Sequence, residues 1–310
     1  MAAAWPSSAA ASPAALAGRF ARYAGATYLG QLTTWLTDVE FVVFLAAATV
    51  SLEQVAVLGF AYKFARDFAS YVATPLTGVA TPLLTRVHQR GEAALRDGHA
   101  SFTRLVWLLM IPAAVGLMVL APRLVQTLYP KYGAGAGLVL VFIVCSFGDS
   151  LLWVSQQALV VSERYRAVLL TQLVGALSLP LALALLPRYG LLGVAVAVTL
   201  ARLSARVLTA VYAVRRLPLD LPVAFGLRVV AASAAFVVVL VPLVKALPAP
   251  IPASGPWSTL TGVAPLIALA VLGAGIYLVT LSALGGLDQA DRRRVLELPL
   301  PFKSVLARIL

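Results

Sequence analysis

The sequence predicts an all-α fold: a polytopic membrane helix bundle of about eight transmembrane helices. Three observations predict it. First, of 310 residues 61% are hydrophobic and 12% are charged, roughly half the charged share of a soluble domain, and a soluble fold of this size cannot hide that much apolar surface in its core. Second, apolar runs of spanning length recur along the whole chain. Third, basic residues gather on alternate connections between those runs, the pattern that orients a membrane protein.

A transmembrane helix needs roughly 20 mostly apolar residues. Eight stretches meet that length, at about 24–50, 54–84, 104–128, 134–160, 165–187, 190–212, 223–246 and 258–282. The second is the least lipid-like, because it carries Lys63, Arg66, Asp67, Pro75 and Pro82. In the third, Pro112 predicts a kink and no break, since neighbouring helices can satisfy the freed backbone groups. Between spans two and three the polar segment Thr85 to Thr103 predicts a short helix on the membrane surface. Pro248 to Trp257 (PAPIPASGPW) predicts an extended outer connection. After Gly285 and Gly286 the chain turns basic, and Phe302, Val305, Leu306 and Leu310 recur at helical spacing, as in a segment lying on the inner surface. The start, residues 1–23, is rich in Ala, Ser and Pro and lacks the charged front and apolar core of a signal peptide.

Orientation follows from the 24 Lys and Arg residues. Eighteen fall on one side, among them Arg86, Arg90, Arg96, Arg164, Arg166, Arg215, Arg216 and the run Arg292 to Arg294. Four fall on the other, namely Arg123, Lys131, Arg188 and Lys245, while Lys63 and Arg66 lie inside a span. Both termini are then cytoplasmic, as an even number of spans requires. The net charge of +12 is thus an orientation signal, and no nucleic-acid partner is expected.

Several chemistries are set aside. Cys145 is the one cysteine, so no intramolecular disulfide forms, and His88 and His99 lack the company of a metal site. Gly133, Gly135 and Gly137 alternate with Ala, but no Lys-Ser/Thr follows, so they are no phosphate loop and more simply allow close helix packing. No Ser/His/Asp or Cys/His set is available. A membrane glycosyltransferase or ligase is the rival enzyme class, and the outer connections are short and nearly devoid of the acidic and histidine residues it would use. The expectation is therefore no enzyme, no cofactor and no metal.

Charges inside spans are costly and face a bundle interior or a wet cavity. Span one carries Gln31, Thr34 and Asp38 on one face, with Glu40 on another. Span two carries Lys63 and Asp67 one turn apart, with Arg66 alongside and Tyr71 a further turn along. Span four places Asp149, Trp153 and Gln156 on one stripe, with Gln157 at its edge. Span six aligns Thr199, Arg202, Arg206 and Thr209.

Three local patterns resemble a known family. Thr81-Pro82-Leu83-Leu84-Thr85-Arg86 followed by Gly91-Glu92 is similar to its loop after a lobe's second helix. Ala121-Pro122-Arg123-Leu124, then Leu128-Tyr129 and Tyr132, is similar to its third-helix ending. Pro187-Arg188-Tyr189-Gly190-Leu191-Leu192-Gly193-Val194-Ala195 is similar to its turn between a lobe's last two helices. The family is that of the oligosaccharide and polysaccharide flippases, in the superfamily that also holds the MATE drug exporters.

The resemblance implies two facing six-helix lobes around a central cavity, with two further helices often appended. By that resemblance residues 1–23 are a low-complexity cytoplasmic start, 24–216 a MATE-like six-helix lobe corresponding to the second of the two, 217–283 the appended pair and 284–310 a basic amphipathic cytoplasmic tail. A first lobe is absent, so the expectation is either a piece of a longer chain, which the low-complexity start favours, or a partner lobe, homodimer or glycan-assembly protein that completes it. The implied function is flipping of polyprenyl-pyrophosphate-linked oligosaccharide across the bacterial inner membrane by alternating access, for cell-surface polysaccharide biosynthesis such as lipopolysaccharide. Lipid-linked glycan and membrane lipids are then its partners. Lys63, Arg66, Arg202 and Arg206 would attract the diphosphate, and Asp38 and Asp149 would couple to a cation or bond sugar hydroxyls, with Gln156 beside them. The bland reading is that Lys63, Asp67 and Arg66 pair within the bundle, that Arg202 and Arg206 snorkel to the inner surface, and that Gln156 is interhelical glue. A MATE-type drug or metabolite exporter, using Asp38 and Asp149 for organic cations, and a non-transporting scaffold in a glycan assembly complex are the alternatives.

Overall fold

The computed structural model describes residues 50–217, 219–248 and 256–286 continuously, with scattered helical positions between residues 17 and 42. Most of span one, the residue Asp38, and the basic tail lie outside the described residues. Helices in order are α1 (Leu52–His88), α2 (Glu92–Leu128), α3 (Ala136–Val161), α4 (Tyr165–Gly175), α5 (Ser178–Arg216), α6 (Val223–Ala246) and α7 (Pro256–Ala283), with a 3-10 turn at Pro130–Gly135 before α3. Among the described residues there is no strand. Five stretches are long and apolar enough to cross a membrane: Glu92–Leu128, Pro130–Val161, Tyr165–Arg216, Val223–Ala246 and Leu260–Ala283. The chain is an all-α, multi-pass membrane bundle.

Local chemistry explains the boundaries. Ser51 caps α1 reciprocally with Gln54: the Gln54 amide donates to Ser51 Oγ and the Ser51 amide to Gln54 Oε1, each at 3.3 Å. Pro112 and Pro122 lie inside an unbroken α2, and Pro75 and Pro82 inside an unbroken α1.

Two expectations need correction. The polar segment 85–103 is no separate helix: α1 runs through His88, α2 begins at Glu92, and only residues 89–91 turn between them. Helices of 37 residues measure about 55 Å, well beyond a hydrocarbon core of about 30 Å, so each carries its polar end out of the bilayer. Span five is not one helix either. It breaks after Gly175 and restarts at Ser178, because the Pro180 ring clashes with the Ala176 carbonyl four residues back.

The reversal between spans five and six turns on Gly190, whose φ of 56° and ψ of −143° interrupt α5. That region is essentially open to glycine alone. Gly190→Val is expected to cost on the order of 1–3 kcal/mol, read as a lowered midpoint of thermal unfolding in detergent.

α3 is the central helix, packed on α1, α2 and α5. Its Phe142, Ile143 and Leu159 are fully buried, together with Leu58 and Leu84 of α1 and Met110 of α2. α6 and α7 pack on each other and on α2, through Phe225, Val229, Phe236, Leu240, Tyr277 and Leu281. One polar contact fixes that arrangement, the Tyr277 hydroxyl donating to the Leu108 carbonyl at 3.0 Å, while Trp107 Nε1 donates to the Leu151 carbonyl at 3.2 Å and ties α2 to α3.

Candidate functional site

The intramembrane charges divide into two groups, one enclosed between helices and one on an open face. The enclosed group is centred on Asp149 of α3. It lies about 20 Å from either end of that helix, near the middle of a bilayer. Arg206 of α5 grips it with both arms of its guanidinium, Nε to Oδ1 at 2.5 Å and Nη2 to Oδ2 at 3.2 Å. Arg202, one turn earlier on α5, lies 3.8 Å from Asp149 Oδ2 and donates to the Tyr62 hydroxyl of α1 at 3.2 Å. The side chains of Asp149, Arg202 and Arg206 are 19–22% exposed. The helices are close at this level: a methyl group at Gly148 would lie 2.6 Å from Leu203 Cδ2, so a larger residue there requires the Leu203 side chain to move. Arg202 and Arg206 therefore do not snorkel to the surface. They turn inward and tie α5 to α3 and α1.

Asp149 lines two cavities, one shared with α1 and α2 and one with α4 and α5. One, of about 110 Å³, is bounded by Ala73, Thr77, Met110 and Trp153. The other, of about 50 Å³, is bounded by Gln172, Arg202, Arg206 and Thr209. Gln156, on the same stripe as Asp149, buries its amide oxygen without a hydrogen-bond partner among the described residues, whereas Gln157 accepts from Thr81 at 3.2 Å.

The open group is on α1. Lys63 pairs with Asp67 at 3.0 Å, with side chains 76% and 46% exposed. Arg66 pairs with Glu40 at 3.1 Å, 49% and 77% exposed. Lys63 and Arg66 begin a continuous exposed stripe of Lys63, Arg66, Ser70, Thr74, Thr77, Thr81 and Thr85, spaced three or four residues apart. It runs about 33 Å along the helix, the thickness of the hydrocarbon core. Three of its hydroxyls are bonded back to their own helix, Ser70 to the Asp67 carbonyl, Thr77 to Thr74 and Thr85 to Thr81. Lys63 and Arg66 each hold a carboxylate yet stay largely exposed, and exposed charges are costly against hydrocarbon, so this face does not rest against lipid. It fits water or another protein surface. Tyr71, 77% exposed, stands at its edge.

Tyr62, the hydroxyl ladder and the pairing of Glu40 with Arg66 are not among the site features that the sequence points to. The ladder was visible as a helical period of Ser and Thr in span two. Glu40 and Tyr62 carried no signal, because their partners are 26 and 140 residues away. His99, which the sequence gives no metal-site company, is fully buried in α2. Its ring nitrogens lie 3.3 Å from the Asp220 carbonyl and 3.2 Å from the Ser155 hydroxyl, pinning the connection into α6.

Residues 13–132 match a family described as polysaccharide biosynthesis protein. The fold matches that of a solved protein, the lipid II flippase MurJ in its inward closed conformation, with a TM-score of 0.61 over 81% of this chain. The expected likeness to a flippase is borne out at the level of fold. Identity to MurJ is 13%, so the likeness is one of fold, and the chain spans about half the length of that protein, 53%. No curated protein sequence matches the chain. The open stripe from Lys63 to Thr85 lies inside the segment that matches the family, and the Asp149–Arg206 pair lies outside it.

Proposed function

We propose that this chain forms one wall of the cavity of a flippase that moves a polyprenyl-diphosphate-linked oligosaccharide across the bacterial inner membrane, for cell-surface polysaccharide biosynthesis. The observation that carries the reading is the exposed stripe on α1, a cationic end followed by a ladder of hydroxyls, together about 33 Å long. Lys63 and Arg66 receive the diphosphate by charge-assisted hydrogen bonds, displacing Asp67 and Glu40. The hydroxyls and Tyr71 then offer a polar, sugar-compatible track. The opposite wall comes from a first lobe or a second copy, and transport is rocking of one wall against the other around a midplane site. Residues 24–216 serve as the lobe and 217–283 as the appended pair, with both termini cytoplasmic as the charge bias supports.

A drug exporter for organic cations would need an open carboxylate. Of the two carboxylates such an exporter would use, Asp38 lies outside the described residues and Asp149 faces both Arg206 and Arg202, an excess of positive charge that favours an anionic cargo.

The test is direct binding of polyprenyl diphosphate to the purified protein in nanodiscs. Each charge-assisted bond contributes about 1.5–3 kcal/mol, so Arg66→Ala is expected to weaken binding about tenfold or more. Binding should also weaken as salt is raised. Equal retention of uncharged polyprenol and of its diphosphate would sink the headgroup role.

A further inference from the structure

The geometry points to Tyr62 as a positioning residue that carries headgroup occupancy on the open face of α1 to the enclosed Asp149 cluster. This rests on the proposed binding of a diphosphate at Lys63 and Arg66.

Tyr62 stands between the two charge groups and touches both. Its ring is 4% exposed and packs edge-on to Phe142 of the central helix, 5.4 Å between centroids. On one side the Arg66 guanidinium lies 5.7 Å from the ring centroid, in cation–π range. At the other end the phenolic oxygen accepts from Arg202 at 3.2 Å, and the same Arg202 reaches Asp149 at 3.8 Å. A diphosphate that recruits Arg66 draws the guanidinium off the Tyr62 face. A ring without a cation over it has a more electron-rich hydroxyl, and so a better acceptor. Arg202 then shifts toward Tyr62 and away from Asp149, which tightens α5 on α1 and loosens α5 on α3. Arg206 holds Asp149 throughout, so the change is a shift in helix packing and leaves no charge orphaned.

The native Cys145 reports on this. It lies one turn before Asp149 on α3 and is 1% exposed, so its reaction with a small permeant methanethiosulfonate follows opening of α3. The experiment compares full-length wild type with Tyr62→Phe, in nanodiscs, with and without polyprenyl diphosphate. The variant keeps the ring against Phe142 and under Arg66 and removes only the hydroxyl. Ligand is expected to speed Cys145 modification about fivefold in wild type, the size of one cation–π contact. Tyr62→Phe should bind the lipid within about twofold of wild type and show no acceleration. A purely packing role would instead change the Cys145 rate without ligand. Arg66→Lys, which keeps the charge but loses the flat stacked group, should give an intermediate response.

Acceleration of Tyr62→Phe equal to that of wild type overturns the relay and leaves headgroup binding standing. Loss of lipid binding in Tyr62→Phe overturns it too, by making Tyr62 part of the binding site. Wild type that binds no diphosphate overturns the relay together with the reading on which it rests.

Discussion

Asp149→Asn is expected to destabilise the bundle by about 3–5 kcal/mol, the cost of leaving a buried charge unpaired. The aspartate faces two guanidiniums near the middle of the bilayer. Arg206 has both of its contacts there, while Arg202 keeps the Tyr62 hydroxyl. Neutralising the carboxylate therefore strands Arg206 most. The same physics predicts rescue: a paired charge replaced by apolar groups of similar volume is often neutral or better. Asp149→Leu with Arg206→Met should recover most of the loss, although neither single change does. The measurement is thermal unfolding of the purified protein in detergent for the two singles and the double. Losses that simply add would mean that the two side chains do not stabilise each other, and the pairing would then carry no part of the α3–α5 contact.

The difference between what the sequence made legible and what it hid follows from range. Apolar length and basic asymmetry are summed over tens of residues, so the helices and the membrane were plain from composition. Breaks at Gly190 and before Ser178 depend on single residues. The Tyr189-Gly190 pattern signals the first, and the second rests on Pro180 alone, which an apolar run of spanning length hides. The charged residues were found because charges are rare in such spans. Their partnerships were not, since helical periodicity assigns a residue to a face and is silent on which helix that face meets. Thus Asp149 was read as open to a cation, when both its oxygens lie against Arg206. Arg66 was read with its sequence neighbours, when its carboxylate is Glu40. A useful rule follows for Arg202 and Arg206. Position toward the cytoplasmic end of a span suggests a surface role, but a carboxylate on the neighbouring helix, Asp149, holds those side chains inward.

Lys63→Ala combined with Arg66→Ala, introduced at the chromosomal locus of the source cell, is expected to cut surface-glycan export on the order of a hundredfold. Two charge-assisted bonds to a diphosphate contribute about 3–6 kcal/mol together, and 1.4 kcal/mol is tenfold. Membrane abundance should stay unchanged, because both residues lie on an exposed face where ion pairs add little stability. A charge swap separates the two roles of Arg66. Arg66→Glu with Glu40→Arg preserves the ion pair but moves the cation off α1 and puts an anion at the head of the stripe. If pairing alone matters, the swap restores export. If the cation on α1 receives the headgroup, the swap exports as poorly as the double alanine variant, with protein level again normal. Export at the wild-type rate from the double alanine variant would remove the diphosphate from this face altogether, and the hydroxyl ladder would then be a contact surface for a second protein wall.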